Sequence, residues 1–120
     1  MMIAGTVSLA AAEQQFRVTA HYPAGLLSGG LWLRGDRCGL NWYVGKPMTK
    51  VADDSWQLDL VCQDDVSQME MKALINNDND WMNGANHRVT VSPKYTSTNM
   101  YPYFQQTQGT LKVFSDVFSP

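Results

Sequence analysis

The feature that most constrains this chain is a two-residue alternation of apolar and polar side chains, repeated in short runs that turn residues interrupt. In Gln15–His21 (QFRVTAH), Phe16, Val18 and Ala20 alternate with polar neighbours. Ser55–Cys62 (SWQLDLVC) does the same with Trp56, Leu58, Leu60 and Cys62, and Gln68–Ile75 (QMEMKALI) with Met69, Met71, Ala73 and Ile75. Successive side chains of a strand point to opposite faces, so this period marks strands with one buried face. Leu31–Gly35, Asn86–Ser92 and Gly109–Phe118 read as further strands, and Pro47–Ala52 as a short one. Between them lie Tyr22-Pro23-Ala24-Gly25, Gly29-Gly30, the Gly-rich stretch Asp36–Lys46, Asn76–Asp80 and Asn83-Gly84, all turn-forming. Pro93–Gln108 reads as a long polar connection holding Tyr101-Pro102-Tyr103-Phe104. No segment of useful length carries a helical period. Roughly six to eight short strands separated by turns predict an all-β sandwich. The chain of 120 residues suits one such module, over residues 13–118.

Charge narrows the ligand. Lys and Arg number 9 against 11 Asp and Glu, a formal net charge of −2, so the chain lacks the basic face a nucleic-acid binder needs. It equally lacks a polybasic patch for a membrane surface. Nucleic acid and membrane are therefore excluded as expected partners. Only 17% of residues are charged, and the aromatics include 4 Trp and 5 Tyr. A surface of amides, hydroxyls and rings suits neutral polyhydroxyl ligands.

Residues 1–12 (MMIAGTVSLAAA) carry no charge before Glu13 and end in small residues. The stretch is too short to span a bilayer. It is expected to be the remnant of a secretory signal, which places the chain outside the cell or in a periplasm. Cys38 and Cys62 are the only cysteines. They form either one disulfide, as export favours, or two buried thiols. His21 and His87 stand at no spacing that would complete a zinc site with them.

Catalytic chemistry is poorly supplied. There is no Gly-x-Ser-x-Gly elbow, Ser28 sits in the wrong context (GLLSGG), and each His reads as structural. No catalytic residue, metal or cofactor is expected. Asn76, Asp78 and Asp80 mimic the first half of a calcium loop, but Trp81 takes the glycine position and His87 that of the closing glutamate. The stretch therefore reads as a solvated hairpin turn. Trp32 and Trp56 lie within strands and are expected in the core. Trp42 and Trp81 are flanked by turn residues and are expected to be partly exposed. Exposed rings can stack on the apolar faces of pyranoses while nearby amides and a lysine bond the hydroxyls. Lys72, Asn83 and Asn86 lie near Trp81 in sequence.

The order of these residues resembles the starch-binding domain of carbohydrate-binding module family 20 and its glycogen-binding relatives. The resemblance runs over roughly residues 16–92. It rests on Leu31-Trp32-Leu33-Arg34-Gly35, then Gly39-Leu40-Asn41-Trp42, then Trp56 with Leu58 and Leu60. Glu70-Met71-Lys72, Trp81 and Asn86-His87 complete it. It implies an immunoglobulin-like antiparallel β-sandwich that binds α-glucan without catalysis, Trp42 and Trp81 stacking and Lys72 and Asn86 donating hydrogen bonds. A second resemblance rests on Leu31–Trp42, on Lys72-Ala73-Leu74-Ile75 with Trp81 and Gly84-Ala85-Asn86-His87, and on Tyr101–Phe104 with Val117-Phe118-Ser119-Pro120. It is to the β-sandwich module that precedes the α/β-hydrolase domain of secreted esterases. It implies an accessory module of an esterase, with Ser119-Pro120 leading into the catalytic domain. The competing expectation is an interaction module that packs on that domain without binding sugar.

Overall fold

The computed structural model describes residues 13–104 apart from Ser28, Asp64 and Asn79. The signal remnant expected at residues 1–12, the last strand expected at Gly109–Phe118 and the passage at Ser119-Pro120 lie outside the described residues. Among the described residues nine strands follow in chain order: β1 Gln14–His21, β2 Leu31–Gly35, β3 Lys46–Pro47, β4 Thr49–Ala52 and β5 Ser55–Cys62, then β6 Gln68–Ile75, β7 Asp80–Trp81, β8 His87–Thr90 and β9 Tyr95–Met100. They form two sheets, one ordered β4-β5-β1-β9 and the other β3-β2-β6-β7, with β8 also paired to β6. The all-β sandwich read from the alternation is the architecture found.

The core is the product of that alternation. From the first sheet, Phe16, Val18 and Ala20 of β1 and Trp56, Leu60 and Cys62 of β5 point inward; from the second, Leu31 and Leu33 of β2 and Met69, Met71, Ala73 and Ile75 of β6 meet them. Trp56 is in the core as expected, and its ring N–H donates to the Tyr22 carbonyl at 3.1 Å. Gln14 is the buried polar residue of β1. Its amide donates to the carbonyls of Val66 and Ser92 at 2.9 Å and accepts the Val66 N–H at 3.0 Å. A buried amide with its bonds made costs little.

Two elements depart from the sequence reading. First, β9 falls inside the stretch expected to be a polar connection, and it runs parallel to β1, whereas every other described pairing is antiparallel. Its sequence, YTSTNM, buries only Thr96 and Met100, so the apolar signal was weak. The strand is held instead by backbone bonds to β1, which alternation does not report. Second, Trp32 is not a core residue. Leu31 and Leu33 take the inward positions of β2, and Trp32 is half-buried on the outward face of the second sheet. In Leu-Trp-Leu both faces read apolar, so the period could not choose between them.

Cys38 and Cys62 are joined by a disulfide. Cys62 ends β5 in the first sheet and Cys38 lies in the loop after β2 of the second, so the bond closes one end of the sandwich.

His87 ties the sheets at another point. From β8 its Nε2 lies 2.9 Å from the Thr98 hydroxyl of β9. Burial pushes its imidazole pKa down. The folded state thus binds this proton less readily than the unfolded chain, whose imidazole titrates at about 6.5. Stability should therefore be full above about pH 6.5 and fall as pH drops through that value toward the depressed one. A urea midpoint measured from pH 7.5 to 5 should decline, and His87→Gln should flatten the decline. An identical slope in the variant would show that the dependence lies elsewhere.

Candidate functional site

The outward face of the second sheet carries the tryptophans. Alternation in β2 sends Trp32 and Arg34 outward, and in β6 it sends Glu70, Lys72 and Leu74 outward. The register places Pro47, Trp32, Leu74 and Trp81 in one row across β3, β2, β6 and β7. Arg34 and Lys72 form the next row, and Glu70 with Arg88 the one beyond. Leu74 is 0% exposed although it points away from the core. The aromatic side chains on either side of it in the row make this an apolar surface with its own small interior.

The loop between β2 and β3 brings a further ring to the row. Its course is set by local chemistry. Cys38 and Gly39 take positive φ, 59° and 83°. The Asn41 side-chain oxygen then accepts the N–H of Tyr43 at 2.8 Å and of Val44 at 2.7 Å, an Asx turn that fixes the tip. This turn carries Trp42 to Trp81: their ring centroids are 6.2 Å apart and the planes tilt by 43°. Both tryptophans are half-buried residues. Tyr43, next in the chain, is 86% exposed at the rim.

Beneath these rings lies a polar network. Arg34 as a residue is only 9% exposed. Its Nη1 donates to the Trp42 carbonyl at 3.2 Å, its Nη2 to the carbonyl and the side-chain oxygen of Asn77 at 3.1 Å, and its carbon lies 5.1 Å from the Trp81 ring. The Asn77 side chain also accepts the Gly45 N–H at 2.8 Å, at the far end of the Trp42 loop. A Cβ on Gly45 would stand 2.6 Å from that oxygen, so the glycine permits the approach. Asn76 accepts the Gly30 N–H at 2.8 Å. Asn76 and Asn77 both hold positive φ, 57° and 58°, a conformation asparagine tolerates better than most residues. The turn read from sequence as a solvated hairpin thus directs both side chains into the protein.

The four residues singled out from sequence are distributed as follows. Trp42 and Trp81 are together. Lys72 lies one row away, its ammonium donating to the Met82 carbonyl at 3.2 Å. Asn86 stands just before β8, and its amide donates to the Glu70 carboxylate at 2.8 Å. The Asn86 bond, followed by the Arg88 guanidinium, holds the Glu70 carboxyl below its usual range. Arg34, Asn77, Tyr43 and the outward Trp32 were not among the sequence candidates. Only Arg34 had a local signal, its period-2 relation to Trp32. Among the described residues no three His, Cys, Asp or Glu side chains converge as a metal ion would require, and no helix is long and apolar enough to cross a membrane.

No protein-family model matches this sequence, and no curated protein matches it. Among solved structures, it is similar to the CBM25-2 module of the β/α-amylase of Paenibacillus polymyxa, with 15% identity and a TM-score of 0.48, covering 71% of this chain and 82% of that one. A DUF3823 family protein of Parabacteroides merdae gives 15% identity and a TM-score of 0.41 over 77% of this chain and 46% of that one.

Proposed function

We propose that this chain is a non-catalytic carbohydrate-binding module whose ligand lies across Trp42 and Trp81 on the outward face of the second sheet. The observation that carries the reading is the ring pair itself, with centroids 6.2 Å apart and planes tilted by 43°. Indole faces stack on the C–H faces of pyranoses at small entropic cost. Rings tilted by 43° suit a chain whose successive sugars turn, as in an α-linked glucan, better than a flat β-linked ribbon. Lys72 supplies polar recognition beside the rings. An ammonium carries three donors, and Met82 takes one. The Asn86 amide, which gives one N–H to Glu70, has a second donor for a sugar hydroxyl. The Cys38–Cys62 disulfide supports an oxidising, extracytoplasmic setting.

Calorimetric titration, with tryptophan fluorescence in parallel, tests the reading. Malto-oligosaccharides should bind with heat and quench fluorescence, and cello-oligosaccharides should bind more weakly. Absence of binding by both series at millimolar concentration would sink it.

A second reading, that the module docks on an esterase domain of the same protein, draws on one observation. Tyr101 and Tyr103 are 74% and 50% exposed while Pro102 and Phe104 between and beside them are buried. In a chain that includes the hydrolase domain, both tyrosines should resist nitration while Tyr43 and Tyr95 react. Equal nitration of all four, with and without the domain, would exclude docking there.

A further inference from the structure

We infer that Arg34 is a positioning residue, setting the distance and angle between the Trp42 and Trp81 rings through the fixed fork of its guanidinium. The functional consequence rests on the reading of those rings as the sugar platform; the geometric claim stands without it.

The two rings arrive from separate segments. Trp42 belongs to the loop after β2, and Trp81 to β7, beyond β6 and its turn. Arg34 touches each of the parts that locate them. One terminal nitrogen holds the Trp42 carbonyl at 3.2 Å, and the other holds Asn77, four residues before Trp81, through two acceptors at 3.1 Å. Its charged plane lies against the Trp81 ring. Asn77 passes the constraint on, accepting the Gly45 N–H at the other end of the loop. One side chain therefore ties the loop, the turn and the ring.

The physical cost of placing an arginine here sharpens the point. Arg34 is a buried residue, and among the described residues the ion pairs are Arg17–Asp59, Lys50–Asp53 and Arg88–Glu70, so Arg34 takes part in none. Burying a cation against neutral dipoles alone is unfavourable unless its bonds are well made. Its cross-strand partner is Lys72, a like charge that adds nothing to sheet pairing. A packing role at this position would be met by an apolar residue. What an apolar residue or a lysine cannot provide is several coplanar donors at fixed angles together with a flat face for the indole.

Two indoles this close couple as excitons, and the couplet they give in far-ultraviolet circular dichroism depends on their mutual angle. The wild-type protein should show it, and Trp42→Phe and Trp81→Phe should each abolish it. Arg34→Met keeps an apolar stem and removes the donors. It should lose most of the couplet and about tenfold or more in malto-oligosaccharide affinity, while the core remains folded by its melting transition. Arg34→Lys restores the charge without the fork and should not rescue either signal. Asn77→Gly retains the positive-φ backbone and removes the shared acceptor. It should weaken the couplet too, and it alone decides should Arg34→Met fail to fold. An unchanged couplet in the folded variants, or full rescue by lysine, overturns the inference. If the wild type shows the couplet but binds no glucan, the functional reading falls while the positioning role is still tested.

Discussion

Replacing Trp81 by alanine should weaken malto-oligosaccharide binding by about thirtyfold or more, the effect of removing a central aromatic contact worth about 2 kcal/mol. The loss has two parts. The ligand loses a ring, and the remaining ring loses its neighbour at 6.2 Å. Trp81→Ala should also lower stability, on the order of 1–3 kcal/mol, because Trp81 stands beside the buried Leu74 in the register row and the Arg34 cation lies against its ring. Trp42→Ala should reduce affinity to a similar degree at a smaller cost in stability, since Trp42 belongs to a loop and to no strand. The pair of variants, followed by calorimetry and by urea unfolding, therefore separates a binding role from a structural one. Affinity unchanged in both would mean that sugar lies elsewhere.

The second large effect concerns the disulfide. Breaking Cys38–Cys62, by reductant or by changing both residues to alanine, releases a loop with a sequence separation of 24. The entropy gained by the unfolded chain corresponds to about 3.5 kcal/mol of stability at 25 °C. Against a typical total of about 5–15 kcal/mol, that is a large share, and a melting temperature lower by roughly 15–25 °C should follow for a module of this size. The same bond anchors the loop that carries Trp42, so sugar affinity should decline in the reduced protein at temperatures where it remains folded. A urea midpoint indifferent to reductant, with free thiols verified chemically, would show that the crosslink contributes nothing.

The strands with strong alternation were legible in the sequence because alternation is a local property. Apart from Gln14, each inward residue of β1, β5 and β6 carries its own apolar signal, and the turn residues between runs supply the breaks. Loop context around Trp42 and Trp81 likewise pointed to partial exposure, since a ring flanked by Asn, Asp and Gly has no strand period to bury it. Other features were not local. Trp32 sits between two leucines, and its face was decided when Leu31 and Leu33 turned toward the first sheet across the core. Strand β9 is held by backbone bonds to β1 from far along the chain, which no side-chain pattern encodes. Arg34 and Asn77 lie 43 residues apart and meet only because β2 and β6 are antiparallel neighbours. Lys72 and Asn86 both stand near Trp81 in sequence, yet Lys72 bonds the Met82 carbonyl and Asn86 the Glu70 carboxylate, partners set by how β7 and β8 pair with β6. The sequence by itself determined which residues could face the core and which loops could carry exposed rings. The tertiary structure alone decided which rings meet and at what angle, because that depends on how distant segments close against one another.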